Sequence, residues 1–138
     1  MEWKEEYSVQ IPEIDREHRI LLDYVTGVEE ALAAGERGSS VLAAIGSLLS
    51  FAVTHFTFEE TVMRIQGYGD LDAHCKGHQR FLADLRAMEE RARNGTLPPD
   101  MTAALRSWLE KHFLADDRYY AASLSAKERD LIRKYCPS

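Results

Sequence analysis

Residues 73–88 read AHCKGHQRFLADLRAM, and they decide the fold. Ala73, Phe81, Leu82, Leu85 and Met88 recur at helical spacing. His74 and His78 are four apart, about 40° from one another on a helix, so both imidazoles leave one face. That face is also the apolar one. Buried imidazoles are costly unless something satisfies them. The stretch therefore predicts a core-facing helix with a polar purpose, ending near Asn94-Gly95.

Upstream, Leu42, Ile45, Leu48, Leu49, Ala52, Phe56 and Met63 mark another helix, started by Ser39 or Ser40 and stopped near Gly67. Before it, Ile20, Leu21, Val25, Val28 and Leu32 mark a helix from about Asp15. Downstream, Met101, Leu105, Trp108, Leu109 and Phe113 mark a helix from Pro99 or Asp100 to about Tyr120. Residues 1–14 read as an extended arm, and 126–135 as a short helical tail. Short breaks between long helices predict an all-α chain: an up-down-up-down four-helix bundle with an extended N-terminal arm and a short C-terminal helix. One domain over 1–138 suits 138 residues.

Composition narrows the function. A net charge of −6 without a basic block disfavours nucleic acid and anionic membranes. No apolar stretch is expected to reach the roughly 18 residues of a membrane span. The charged start Met1-Glu2-Trp3-Lys4-Glu5-Glu6 predicts no signal peptide. Two cysteines, Cys75 and Cys136, make no disulfide framework, which predicts a reducing, cytoplasmic setting. Both are expected to be free thiols.

The five histidines are His18, His55, His74, His78 and His112, and every predicted bundle helix carries at least one. His55 and Glu59 form a second i+4 pair. One inward histidine is ordinarily a hydrogen-bonded core residue. Five, with two i+4 pairs, read better as metal donors. They are too many for one tetrahedral zinc and too nitrogen-rich for calcium or magnesium. Two ions bridged by carboxylates use such a set naturally. An odd number of imidazoles then divides three and two, leaving one ion short of a donor.

Several motifs resemble the hemerythrin-like family, in its single-domain bacterial form. They are Trp3 with Val9-x-Ile11-x-x-Ile14-Asp15-x-x-His18, His55-Phe56-x-x-Glu59-Glu60-x-x-Met63, Tyr68 with His74-x-x-x-His78-x-x-Phe81, and Trp108-x-x-x-His112-x-x-x-x-Asp117-x-x-Tyr120. Gly69 departs from the pattern where proline is common. The resemblance implies a non-haem di-iron centre. His74, His78 and His112 would bind one iron and His18 and His55 the other, with Glu59, Asp117 and an oxo or hydroxo group as bridges. Dioxygen would be the ligand at the open position, with Leu109 in its pocket wall. Reversible oxygen binding without catalysis is then the expected function, with an oxygen-consuming protein as recipient. An oxygen- or redox-sensing domain and a di-iron peroxidase or nitric-oxide-handling protein remain alternatives; the Met1 start favours a free-standing protein.

His112 and Asp117 are five apart, about 140° off a shared face, whereas Asp116 is at i+4. Taking Asp117 therefore predicts a π-type widening near Ala115-Asp116, with Asp116 facing solvent. Trp108, Phe113, Phe56 and Met63 are expected to add apolar wall or plain core. Asp15 is expected either to orient His18 or to cap the first helix, Glu60 to point outward or back a ligand, and Tyr119 and Tyr120 to be core or rim.

Overall fold

Proline suits the first turn of a helix, where its missing N–H would have no partner. In the computed structural model, which describes residues 3–36, 38–98 and 100–136, Pro12 opens α1, Pro12–Ala33. The arm therefore ends three residues earlier than the sequence suggests, and it contains one 3-10 turn, Glu5–Tyr7. Met1 and Glu2 lie outside the described residues.

Helix α2 is Ser39–Gln66. Neither serine caps it: Gly38 is the N-cap, and no side chain bonds the helix start. Its end is built as expected. Gly67 takes the left-handed conformation, φ 69°, and Tyr68 N–H returns to the Met63 carbonyl. Helix α3 is Leu71–Arg93, followed by Asn94 and Gly95. Helix α4 begins at Thr102, beyond the expected start at Asp100, and runs to Lys111; Pro99 lies outside the described residues. A π-helical segment, His112–Asp117, continues it into α5, Arg118–Ala122, so the three form one rod. Helix α6, Ala126–Tyr135, starts at a reciprocal cap between Ser125 and Glu128.

Helix α1 packs on α2 and α4, α2 on α3, and α3 on α4, which closes a four-rod ring. Two apolar clusters fill it. One holds Leu21, Val25, Ile45, Phe56, Phe81, Leu105 and Phe113. The other holds Ile14, Val62, Met63 and Tyr120, with Leu71 packed against it. Along α1 the chain passes from the second cluster to the first, from Ile14 to Leu21; along α2 it returns, from Phe56 to Met63. Along α3 it runs from Leu71 to Phe81, and along the last rod from Phe113 to Tyr120. The rods therefore alternate in direction, as the short connections predict, and the histidines fall where the two clusters meet.

The arm is pinned beside that layer. Tyr7 is fully buried, lies edge-on to Phe113 at 6.1 Å, and donates its hydroxyl to Glu110 at 2.8 Å. Asp15 accepts from the Ser8 hydroxyl at 2.5 Å and from Val9 N–H at 2.9 Å. It holds the arm, and the start of α1 at Ile11 has no side-chain cap. Helix α2 corrects another expectation. By length and composition it is apolar enough to cross a membrane, its best window reaching a mean hydropathy of 1.8. A third of that window is buried inside the bundle. Residues 39–58 contain no Asp, Glu, Lys or Arg, a run that periodicity disguised because it alternates small polar with apolar residues.

Candidate metal centre

Each histidine reaches the middle layer because its rod is apolar above and below it. His18, His55, Glu59, His74, His78, His112 and Asp117 are all buried, with exposures of 0 to 6 %. The structure brings together every residue that the sequence reading named as a metal donor.

The two carboxylates organise the cluster. Glu59 Oε1 lies 2.6 Å from His74 Nε2 and 3.2 Å from His78 Nε2, while its Oε2 lies 3.4 Å from His55 Nε2. Asp117 Oδ1 lies 3.1 Å from His74 Nε2 and 3.0 Å from His112 Nε2, while its Oδ2 lies 3.0 Å from His18 Nε2. Each carboxylate thus turns one oxygen to two members of the trio His74, His78 and His112 and the other to one member of the pair His18 and His55. Two groups of donor atoms are close enough to hold a cation: Glu59, His74, His78, His112 and Asp117, and His18, His55 and Glu59.

Asp117 reaches this layer through the π-helical segment, whose wider turn lets residue i+5 face the way i+4 does in an α-helix. Asp116 is left more than half exposed, as expected, yet its carboxylate lies 3.0 Å from His112 Nδ1. Glu60 likewise accepts from His78 Nδ1 at 2.7 Å. Glu17 accepts from His55 Nδ1 at 2.6 Å and is itself buried. Sequence reasoning missed Glu17. It adjoins His18, so helical spacing sends it about 100° away, and only the packing of α1 on α2 brings it behind His55.

Aromatic rings clamp the imidazoles. Phe113 stacks on His18 at 4.1 Å, Phe56 on His78 at 3.9 Å, and Trp108 on His112 at 4.4 Å. Leu109 is fully buried in the same apolar cluster as Phe56 and Phe113. Met63 belongs to the cluster on the other side of the layer. Tyr120 is core, its hydroxyl donating to Gln66, while Tyr119 is 64 % exposed. Cys75 and Cys136 are free.

Electrostatically the cluster holds protons when it holds no metal. Burial opposes charge on His55, but hydrogen bonds to Glu17 and Glu59 outweigh it and hold its pKa up to about 10. Burial is outweighed at His74 too, where Asp117 and Glu59 raise the pKa to about 10, and at His112, where Asp117 and Asp116 raise it to about 9. Burial works to raise Glu59, yet His55, His74 and His78 hold it well below the usual carboxylate range. Asp117 is likewise held low, because His112 and His18 overcome burial and the neighbouring Glu59.

These residues fit metal ions. His55 Nε2, both His18 ring nitrogens and both Asp117 oxygens are buried without a well-aligned hydrogen bond, and apart from His18 Nδ1 they face other donors of the cluster at 3.0–3.4 Å. Buried polar atoms rarely stay so. A cation satisfies imidazole and carboxylate lone pairs together, releasing the protons that the raised histidines carry.

The bundle and its inward donors define a helical metal-binding protein. Residues 9–124 match the hemerythrin family, described as the Hemerythrin HHE cation binding domain, and the chain belongs to that family. It is 29 % identical over 123 residues to a bacteriohemerythrin of Methylococcus capsulatus, covering 88 % of this chain and 93 % of that one. It is 25 % identical over 123 residues to a myohemerythrin of Theromyzon tessulatum, covering 89 % and 92 %. A crystal structure of wild-type hemerythrin superposes with a TM-score of 0.83 at 29 % identity, over 91 % of this chain and 98 % of that one.

Proposed function

We propose that this chain binds dioxygen reversibly at a non-haem di-iron centre, as a store, carrier or buffer rather than an enzyme. The observation that carries this reading is the way Glu59 and Asp117 each turn one oxygen to two imidazoles of the trio His74, His78 and His112 and the other to one imidazole of the pair His18 and His55. In this reading His74, His78 and His112 would hold one iron, His18 and His55 would hold the other, and Glu59 and Asp117 would be shared between the two. The side held by His18 and His55 would have one imidazole fewer, and the gas would bind there. When bound, the ferrous pair supplies the electrons that hold dioxygen reversibly.

The residues of the chain do the rest. Five neutral imidazoles against two carboxylates keep the centre less electron-rich than carboxylate-dominated sites, which favours binding over oxygen activation. Phe56, Trp108 and Phe113 fix three of the rings by stacking. Leu109, with these aromatics, forms the apolar wall that excludes water and retards loss of the gas in reduced form. The reading treats the chain as one domain working in the cytoplasm, consistent with its two free cysteines, and supplying an oxygen-consuming protein.

The test is iron stoichiometry with a visible spectrum. Two irons per chain and a charge-transfer band that bleaches on removing oxygen and returns on adding it support the proposal. Zinc, a single iron, or rapid irreversible oxidation with peroxide turnover overturns it; the last outcome assigns the chain to the enzymes.

A further inference from the structure

His55 is held differently from three of its partners. His18, His78 and His112 each have a parallel aromatic ring within 3.9–4.4 Å. The ring parallel to His55 is Phe51, and it stands 6.4 Å away. Beside His55, between α1 and α2, lies a groove of about 660 Å³ that opens to solvent, lined by Glu17, Ile20, Gly46, Ser50, Phe51 and His55 itself. An imidazole beside open space and without a close stacking partner has room to swing away from the middle layer.

What opposes that swing is Glu17. Its Oε1 takes the Nδ1 proton of His55 at 2.6 Å, which turns Nε2 inward, 3.4 Å from Glu59 Oε2. Glu17 is the more strongly placed of the carboxylates behind the imidazoles, because it is buried whereas Glu60 and Asp116 reach solvent. Buried charge-assisted hydrogen bonds are short and costly to break. Glu17 also adjoins His18. Helix α1 therefore supplies both His18 and the prop that orients His55, so one element governs the whole two-imidazole side.

We propose that Glu17 is a positioning residue for the iron at His18 and His55: it keeps the His55 ring from swinging toward the groove beside it, and so fixes the occupancy of the more weakly held, gas-facing position. This rests on the di-iron reading above. Removing a carboxylate that backs a metal-bound histidine ordinarily weakens metal binding by about 10- to 100-fold.

The experiment uses the iron-loaded full chain, with Glu17→Met and Glu17→Gln. Methionine keeps volume and removes the acceptor; the glutamine amide oxygen still accepts the Nδ1 proton. Anaerobic titration with 2,2′-bipyridine, with iron occupancies read site by site from anomalous diffraction, is expected to empty the His18–His55 position of Glu17→Met about 10- to 100-fold more readily than in the unsubstituted chain. The His74–His78–His112 position should be unchanged, and Glu17→Gln should retain both irons. A second readout needs no iron. In the metal-free chain, NMR should show an exchange-protected Nδ1 proton on His55, kept in Glu17→Gln and lost in Glu17→Met. The proposal is overturned if Glu17→Met keeps both irons, if it sheds both in parallel, if glutamine fails to rescue, or if the unsubstituted chain lacks the protected proton. An unsubstituted chain holding fewer than two irons but showing that proton counts against the di-iron reading, and leaves the role of Glu17 in orienting His55 standing on the NMR result.

Discussion

Asp117 follows His112 by five residues, yet its Oδ1 lies 3.0 Å from His112 Nε2, while Asp116 takes the other side of the same ring at Nδ1. One imidazole thus sits between two consecutive carboxylates with different tasks. Asp117→Asn should bring the chain below two irons, because it weakens an oxygen facing each group of imidazoles. Asp116→Asn should leave iron content at two. Metal analysis of the two purified variants compares them directly, and equal iron loss would contradict the division of labour.

Phe56 stacks on His78 and meets Phe81 and Trp108 edge-on or nearly so. Phe56→Ala removes a buried ring from the centre of this group. The metal-free chain should lose about 3–5 kcal/mol of stability in urea unfolding. Phe56→Leu, which conserves more volume, should lose clearly less.

Leu109 is fully buried among apolar neighbours. Leu109→Asn should keep iron at two while shortening the lifetime of the oxygenated spectrum, because the amide admits water to the wall. The same change removes buried apolar contact and introduces a polar group, so stability should fall on the order of 3 kcal/mol. An unaltered oxidation rate would remove Leu109 from the pocket wall.

Raising the pH above about 6.5 should act oppositely on the metal-free and metal-loaded states. In the metal-free chain His55 and His74 titrate near 10 and His112 near 9, above their ordinary value of 6.5. A raised folded pKa stabilises fully below the unfolded value, and the gain is lost as pH climbs through the folded one. Glu59 and Asp117 are held low, so their contribution is present above the ordinary carboxylate values of 4.5 and 3.8 and is lost as pH falls. Metal-free stability should therefore be highest between about 4.5 and 6.5 and decline toward 9–10. Iron retention should rise across the same alkaline range, because protons compete for the nitrogens. Melting temperatures of the metal-free chain and chelator titrations of the loaded chain, each against pH, check both slopes.

The fold was legible where apolar periodicity was unbroken. The ends of α2 and α3 at Gly67 and Asn94-Gly95 followed from residues that tolerate those conformations. The starts were less legible. Pro12 moved α1 forward, and Ser39 proved to be the first residue of α2 rather than its cap, because Gly38 already makes the turn. Within the cluster, i+4 spacing sufficed to bring His74 and His78 together, and His55 with Glu59. Asp117 needed the family pattern, since a π-helical turn has no periodicity of its own to read. Asp15 and Glu17 illustrate the remainder. Both are buried acids near His18, but one secures the arm and the other reaches α2. Their roles depend on which element packs against α1, and local sequence does not encode that.

The donors gathered in the middle layer come from all four rods, and the farthest along the chain is Asp117. As the polypeptide leaves the ribosome, His18, His55, His74 and His78 emerge well before His112 and Asp117 do. A nascent chain thus presents an unfinished set of claws, open to whatever cation is nearby. Only after the last rod closes does the cage acquire its second two-sided carboxylate, so a complete set of donors exists only once all four rods have packed together.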